Sequence, residues 1–443
     1  MSPFSTTLMT RLRLSMAIPL TTMLLASATA CGGLLDVSDP TLIQDKDLAN
    51  AFAANARRLS VVQSFTNQMP GAAYESGLFS DELTYDASAY RATDYNTNLD
   101  LRNGTAIEQY EANVSYDPHL ENLNVIVSRS SVAINGMRSY GADSVRDDYL
   151  TQLFALRGGA ILQIAEDMCS GFPINDISPS GGAILGKTYL YDSAVVYAIT
   201  QLDSALAHAT DSVQFVNLAR VFKARALLDL GQYATAATTV AAVPTDFTYT
   251  TDILVRNSLG RQGRAWVADG DGGGLPFLSA NDPRVTATAQ RTRATQPSVS
   301  LYLQTKYPNT TVPMIVASGI EARLIEAEAA IHEPNPSKVV AIVDTLRATI
   351  GLDTVATPTS TDALIDLVYR ERAFWLYLSG HRLGDLRRLV INYGRPQNTV
   401  FPSGAYPILN LTYGTATAIP FSKSAEARTN PNVTSGCIPD QPR

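Results

Sequence analysis

The chain is poor in the residues that metal and redox chemistry rely on. It has three cysteines and four histidines in 443 residues, and none of the histidines or cysteines falls at metal-ligand spacing. No glycine-rich phosphate loop and no nucleophile elbow occurs, so no cofactor and no metal is expected. Charged residues make up only 17% of the chain, with 34 Lys+Arg against 41 Asp+Glu and a net charge of −7. Phosphate neutralisation needs clustered cations, and no long basic run is present, so nucleic acid is a poor partner. Tryptophan occurs only twice. No apolar run approaches the roughly 20 residues that cross a bilayer. What is present is a hydrophobic content of 45%, enough for a sizeable core and against wholesale disorder. The length fits one large domain or two to three ordinary ones.

Residues 1–30 lack Asp and Glu altogether. Arg11 and Arg13 precede an apolar stretch from Leu14 to Leu25, followed by the small residues Ala26 to Ala30 and then Cys31. A basic start, a short apolar centre and a small-residue end make a secretory signal peptide. The alternative is a membrane anchor, for which the apolar part is short and interrupted by Pro19, Thr21 and Thr22. Cys31, followed by Gly32 and Gly33, resembles the lipobox of bacterial lipoproteins, in which this Cys becomes the lipid-bearing first mature residue. Ala28 stands where Leu is usual. The mature chain is then expected to be anchored to a membrane rather than to span it.

The remainder reads as mainly helical. Leu48, Phe52 and Leu59 give helical spacing over 42–65, whereas 71–117 reads as long surface loops rich in Tyr, Asn, Thr, Asp and Gly. Helical periodicity returns at 118–138 and 142–168. Residues 190–209 and 214–230 form a pair, and Leu230-Gly231-Gln232-Tyr233 leads into an Ala-rich third helix at 234–243. Leu-Gly-x-Tyr followed by Ala resembles the tetratricopeptide helix-turn-helix unit. Ile320, Leu324, Ala327 and Ile331 form a second pair with Val339, Ile342, Val343 and Leu346, across a turn at Asn335-Pro336. Between the pairs, 245–317 reads as loop. Its run Asp269 to Gly274 matches only the opening of an EF-hand loop, with Ala280 where the bidentate Glu belongs, so a turn is expected.

The most distinctive segment runs from Leu364 to Val390. Leu364, Leu367, Val368, Phe374, Trp375 and Leu378 form an apolar helical face that Gly380 is placed to cap. Glu371 lies in line with that face and should be at least partly buried, which demands a partner; Arg382 and Arg388 are the forks close by. Glu371, His381 and Asp385 are either an acid/base group or members of a structural ion network with Arg382 and Arg388. An Arg lies near each carboxylate in sequence, which favours the network.

This segment resembles the C-terminal signature of the RagB/SusD family: Glu371-Arg372 with Leu376, then Gly380-His381-Arg382, then Asp385-Leu386-Arg387-Arg388. Ser379 stands where the family carries Glu. Glu321 to Ala329, Asp282-Pro283-Arg284, Ala418-Ile419-Pro420 and Asn430-Pro431-Asn432 follow the family's order. The resemblance implies a mainly α fold, with tetratricopeptide-like helix pairs in a right-handed superhelical scaffold and long loop-rich insertions. It implies one SusD-like domain at 31–443, divided as 31–200, 201–317 with the central pair and ligand-face loops, and 318–443. It further implies a lipid-anchored, surface-exposed outer-membrane binding protein, not an enzyme. Such a protein captures an oligosaccharide or peptide and passes it to a TonB-dependent, SusC-like receptor.

Sugars and peptides are gripped by aromatic faces and hydrogen-bonding groups on loops. The loop-rich regions offer Tyr74, Asp81, Glu82, Tyr90 and Arg91, and then Phe247, Tyr249 and Trp266. With Cys31 assigned to lipid, Cys169 and Cys437 remain as an even pair in an oxidising setting, either bridged or as two free thiols. Two other functions stay open here: a helical-repeat scaffold or assembly factor at the outer membrane, and a secreted glycoside hydrolase with paired carboxylates.

Overall fold

The computed structural model describes residues 49–86, 95–113, 118–178, 182–210, 212–251, 257–260, 265–293, 296–407, 410–423, 427, 429–441 and 443. Cys31, Tyr90 and Arg91 lie outside the described residues, as do residues 1–30.

Residues 50–443 form one compact unit. Its helices are α1 (Ala51–Phe79), α2 (Tyr95–Asp100), α3 (Gly104–Asn113), α4 (Pro118–Tyr140), α5 (Arg146–Asp167), α6 (Tyr191–Ala207), α7 (Val213–Asp229) and α8 (Tyr233–Val240). The later ones are α9 (Gly319–Ala330), α10 (Pro336–Ala348), α11 (Thr361–Trp375), α12 (Arg382–Ile391) and α13 (Gln397–Val400). The fold is mainly α, built by packing each helix on its neighbours. α1 lies on α4, α4 on α5, α5 on α6 and α7, α7 on α8, α8 on α9, and α9 on α10 and α11.

Small residues allow these approaches. Gly158 and Gly159 sit in the middle of α5. A Cβ at Gly159 would come within 2.4 Å of the Phe222 ring of α7, and one at Gly158 within 2.7 Å of Leu202 of α6. Both helices therefore close on bare backbone, and every residue of α5 from Leu150 to Asp167 is buried.

α1 departs from the sequence reading. Asn50 caps it, its Oδ1 accepting from the Ala53 N–H at 2.9 Å, and it continues through Pro70 and Gly71 to Phe79. Residues 71–79 were expected as loop. Ala72, Ala73, Tyr74, Leu78 and Phe79 are buried in the main core, and that burial outweighs the weak local propensity of Gly and Pro. α2 and α3 likewise occupy part of the expected 71–117 loop.

Between α5 and α6, the short strands β2 (Phe172–Pro173), β3 (Asp176–Ile177), β4 (Ala183–Ile184) and β5 (Thr188–Tyr189) pair antiparallel, β2 with β5 and β3 with β4. The 245–317 region also contains more order than expected. There β8 (Ala287–Arg293) and β9 (Gln296–Gln304) form a hairpin within a four-stranded sheet. β9 is followed by β7 (Trp266–Val267), with β1 (Leu83–Thr84) at the far edge. β6 (Thr248–Thr250) pairs antiparallel with β10 (Ile315–Ser318), which leads directly into α9. Asp269 Oδ1 accepts from the Leu278 and Ser279 N–H groups at 3.1 and 2.8 Å, closing the Gly-rich run as a turn.

Cys169 and Cys437 are disulfide-bonded, with Cα atoms 5.6 Å apart, and tie the tail to the end of α5. Among the described residues no helix is long and apolar enough to cross a membrane.

Candidate functional site

The joint between α11 and α12 sits on a lattice of buried charge. Arg388, 1% exposed, donates to Glu328 Oε1 and Oε2 at 2.8 and 3.1 Å, to Asp229 Oδ1 at 2.9 Å and to Asp385 Oδ1 at 2.7 Å. Arg372 grips Asp385 with two hydrogen bonds of 2.9 and 2.8 Å. Burial opposes the charge on Asp385, but Arg372 and Arg388 outweigh it and hold the carboxyl well below the usual carboxylate range. Arg382 closes a bidentate pair with Asp81 at 2.6 and 2.8 Å. Arg387 donates to the carbonyls of Ala165, Glu166 and Met168, which closes off the C-terminal end of α5.

Glu371 is 1% exposed, as its place in the helical face required. Its partners differ from the expected Arg382 and Arg388. Arg284 Nη1 donates to Oε2 at 2.5 Å and Arg347 Nη1 to Oε1 at 2.7 Å. Arg284 is also held by Asp282, through 2.8 and 2.6 Å bonds. The Asp-Pro-Arg segment therefore closes onto α11 from 87 residues away in sequence, a separation that local spacing cannot reveal. Gly380 does not cap α11, which ends at Trp375. Gly380 and Leu378 instead take positive φ (81° and 53°) in the turn that follows. The unfavourable Leu378 backbone is held by its N–H donating to Glu82 Oε1 at 2.9 Å.

Glu371, His381 and Asp385 engage different partners. His381 Nε2 lies 3.1 Å from Glu321 Oε1, which also accepts from Arg225 Nε at 2.7 Å. Burial disfavours the Glu321 charge, but Arg225 and His381 prevail and hold its carboxyl at about 2. His381 itself is pushed down, first by burial and then by Arg225.

Beside this joint lies a cavity of about 160 Å³. Its walls come from the Thr245–Thr248 segment, β10, the first turn of α9, Lys306, and Trp375 to His381. Phe247 and Trp375 are partly buried, and Ile315 is 37% exposed at the rim. Lys306 donates to the Tyr377 carbonyl. Burial lowers its ammonium to about 8, although Glu82 works the other way. Three polar atoms of the lining residues are buried and have no hydrogen-bond partner among the described residues: Trp375 Nε1, Glu321 Oε2 and His381 Nε2. A second, more open cleft of about 360 Å³ is lined by Asp81, Arg382, Asp366, Arg370, Arg395 and Tyr369, among others.

The candidate residues read from the sequence are therefore dispersed. Trp266 is 3% exposed in β7, between Thr84 of β1 and Leu303 of β9. Its large apolar area belongs to the sheet's packing and not to an exposed loop. Tyr249 is 6% exposed in β6, its hydroxyl accepting from Gln152 at 3.0 Å. Tyr74 is buried within α1. Asp81 is committed to Arg382. Phe247 alone of the described aromatic candidates lines the cavity. Lys306, Glu321 and Trp375 carry no local signal of a site in the sequence. The alternation Val299-Ser300-Leu301-Tyr302-Leu303-Gln304 does signal a strand leading to Lys306, but nothing local links it to Phe247.

Residues 321–434 match the SusD family. The fold matches solved structures closely. A SusD superfamily protein from Bacteroides vulgatus is 12% identical with a TM-score of 0.61, covering 89% of this chain and 99% of that one. A SusD-like carbohydrate binding protein from the same organism is 13% identical with a TM-score of 0.57, over 89% and 94%. Surface glycan-binding protein A from Bacteroides uniformis is 13% identical with a TM-score of 0.60, over 87% and 98%. Comparison with curated proteins gives no sequence match. The matched segment contains Glu321, Glu328 and all the residues of the α11–α12 joint, so the chain carries a SusD-family segment within a SusD-like fold.

Proposed function

We propose that this protein is an outer-membrane lipoprotein that captures oligosaccharides and passes them to a TonB-dependent, SusC-like transporter. The observation that carries the reading is the SusD-family segment at 321–434, folded as the charged joint of a SusD-like chain. Two solved proteins of this fold are described as carbohydrate- or glycan-binding, which favours a glycan over a peptide. The protein acts by binding and not by bond cleavage. The Glu371, Asp385 and Glu328 carboxylates are each buried and held by arginine, whereas glycoside hydrolysis needs two carboxylates facing a substrate cleft. Residues 1–30 direct export, and Cys31 carries the lipid.

The test has two arms. Glycan-array profiling of the purified protein should show oligosaccharide binding without product release. Cys31→Ser should move the protein from the membrane to the soluble fraction. A protein that binds no glycan, or a Cys31→Ser variant that stays with the membrane, refutes the corresponding half of the proposal.

A further inference from the structure

The open cleft of about 360 Å³ lined by α11, α12 and α13 carries a charge pattern that packing alone does not need. Part of its lining is apolar, with Leu275, Leu389 and Val400 half-buried there. The charged part consists of three arginines, Arg370, Arg382 and Arg395, against two carboxylates, Asp81 and Asp366. The lining is therefore cationic by one charge, in a chain whose net charge is −7. Both carboxylates are already engaged. Asp81 accepts from Arg382 Nε and Nη2 at 2.6 and 2.8 Å and from the Leu275 N–H at 2.9 Å. Asp366 accepts from Arg395 at 3.0 Å. The Gly-rich turn rests on the same pair, because a Cβ at Gly274 would lie 2.7 Å from that of Asp81. At Gly273, on the cleft lining, a Cβ would meet nothing within 4 Å.

Arg370 is the cation left over. It is exposed on α11, with its guanidinium over the Phe374 ring at 4.6 Å, and it makes no ion pair among the described residues. Asp282, whose charge it favours from a distance, is held by Arg284 at 2.6 Å. Arg382 adds a second donor. It is 5% exposed, and with Nε and Nη2 given to Asp81 its Nη1 has no hydrogen-bond partner among the described residues. A guanidinium is a planar fork of N–H donors that fits an oxyanion bidentately, and such charge-assisted bonds are about twice as strong as neutral ones. A cationic ligand would be repelled by Arg370, and a neutral one would leave its charge unused. In size, a cavity of ~150 Å³ holds benzene, so this cleft has room for one sugar ring with an anionic substituent. We infer that the cleft is a subsite for a sugar ring bearing an oxyanion, a uronic acid carboxylate or a sulfate ester, with the anion on Arg370 and the ring against Leu275, Leu389 and Val400. The inference rests on the glycan-binding reading above and adds to it the class of glycan.

The experiment is titration calorimetry of the mature protein with oligogalacturonate, hyaluronan and chondroitin sulfate fragments. Each is compared with its own neutral form, made by methyl-esterifying the carboxylates or removing the sulfates. At least one acidic fragment is expected to bind about ten-fold or more tightly than its neutral form, the effect of one charge-assisted hydrogen bond. That preference should shrink as salt rises from about 0.05 to about 0.5 M, because the site is open to solvent. Arg370→Gln should remove the preference with an unchanged melting temperature, and Arg370→Lys, which keeps the charge and loses the fork, should fall between. A preference lost on esterification assigns a carboxylate and one lost on desulfation assigns a sulfate; either supports the site. Neutral forms that bind as tightly as acidic ones, or an Arg370→Gln variant that binds acidic fragments like wild type, would overturn the subsite and leave glycan capture standing. A wild-type protein that captures no glycan, acidic or neutral, here or on the array, would overturn the broader reading with it, as would Arg370-dependent binding of acidic peptides alone.

Discussion

Arg388 is the hub of the buried lattice, and removing it tests whether that lattice holds the fold. Arg388→Met keeps most of the side-chain volume and deletes the cation. Asp229 then loses its charge-assisted hydrogen bond at 2.9 Å, and Glu328 loses bonds at 2.8 and 3.1 Å. Asp385 is cushioned, because Arg372 still holds it with bonds of 2.9 and 2.8 Å. Breaking a buried pair by removing one partner costs about 3–5 kcal/mol, since the remaining charge stays buried and uncompensated. Asp229 is left without its cation, whereas Glu328 keeps the Tyr369 hydroxyl at 2.8 Å and Arg372 Nε at 3.7 Å, so the cost falls within that range. Against a total stability of about 5–15 kcal/mol, that is a fifth or more. With a urea m-value of about 3 kcal/mol/M, the unfolding midpoint should fall by at least about 1 M, followed by far-UV circular dichroism. Adding Asp229→Asn to Arg388→Met removes one stranded charge and should recover part of the loss, with a coupling of about 0.5–3 kcal/mol. A midpoint within 0.3 M of wild type, a shift of under about 1 kcal/mol, would show that the lattice is solvated in solution and that the reasoning fails.

Three further outcomes follow from the same geometry. Trp266→Ala should cost about 3–5 kcal/mol as a large-to-small change in a packed sheet, read as a lowered melting temperature; an unchanged melting temperature would return Trp266 to the surface. Cys437→Ser opens a loop of 268 residues in sequence separation, for which chain entropy sets a ceiling of about 5 kcal/mol, and limited proteolysis should then cut the tail first. Equal protease resistance in both proteins would contradict this. His119 sits between Glu75 and Asp167; burial opposes its charge, but the two carboxylates outweigh it and raise it to about 10 from an ordinary 6.5. A raised folded-state value stabilises fully below pH 6.5 and is lost as pH climbs through 10, so His119→Gln should flatten the stability profile in that window. Parallel profiles for the two proteins would argue against a charged His119.

Much of this protein was determined by patterns that operate within one helix or turn. The periodicity at 118–138, 142–168, 190–230 and 320–346 anticipated α4 to α7, α9 and α10, because an amphipathic stripe is a local property of sequence. The burial of Glu371 followed from its alignment with Leu367 and Phe374 for the same reason. Other features were fixed only when distant segments met. Residues 71–79 became helix because the core absorbed Leu78 and Phe79, a gain that Gly71 and Pro70 conceal locally. Glu371 chose Arg284 and Arg347 over its sequence neighbours, since an ion pair depends on distance in space and not along the chain. Trp266 passed from an expected ligand face into a sheet because β1, whose Thr84 pairs with it from 182 residues earlier, supplied the strand that covers it. The cavity lined by Phe247, Lys306, Glu321 and Trp375 has no sequence signature at all: four segments, each unremarkable alone, enclose it only once the chain has folded.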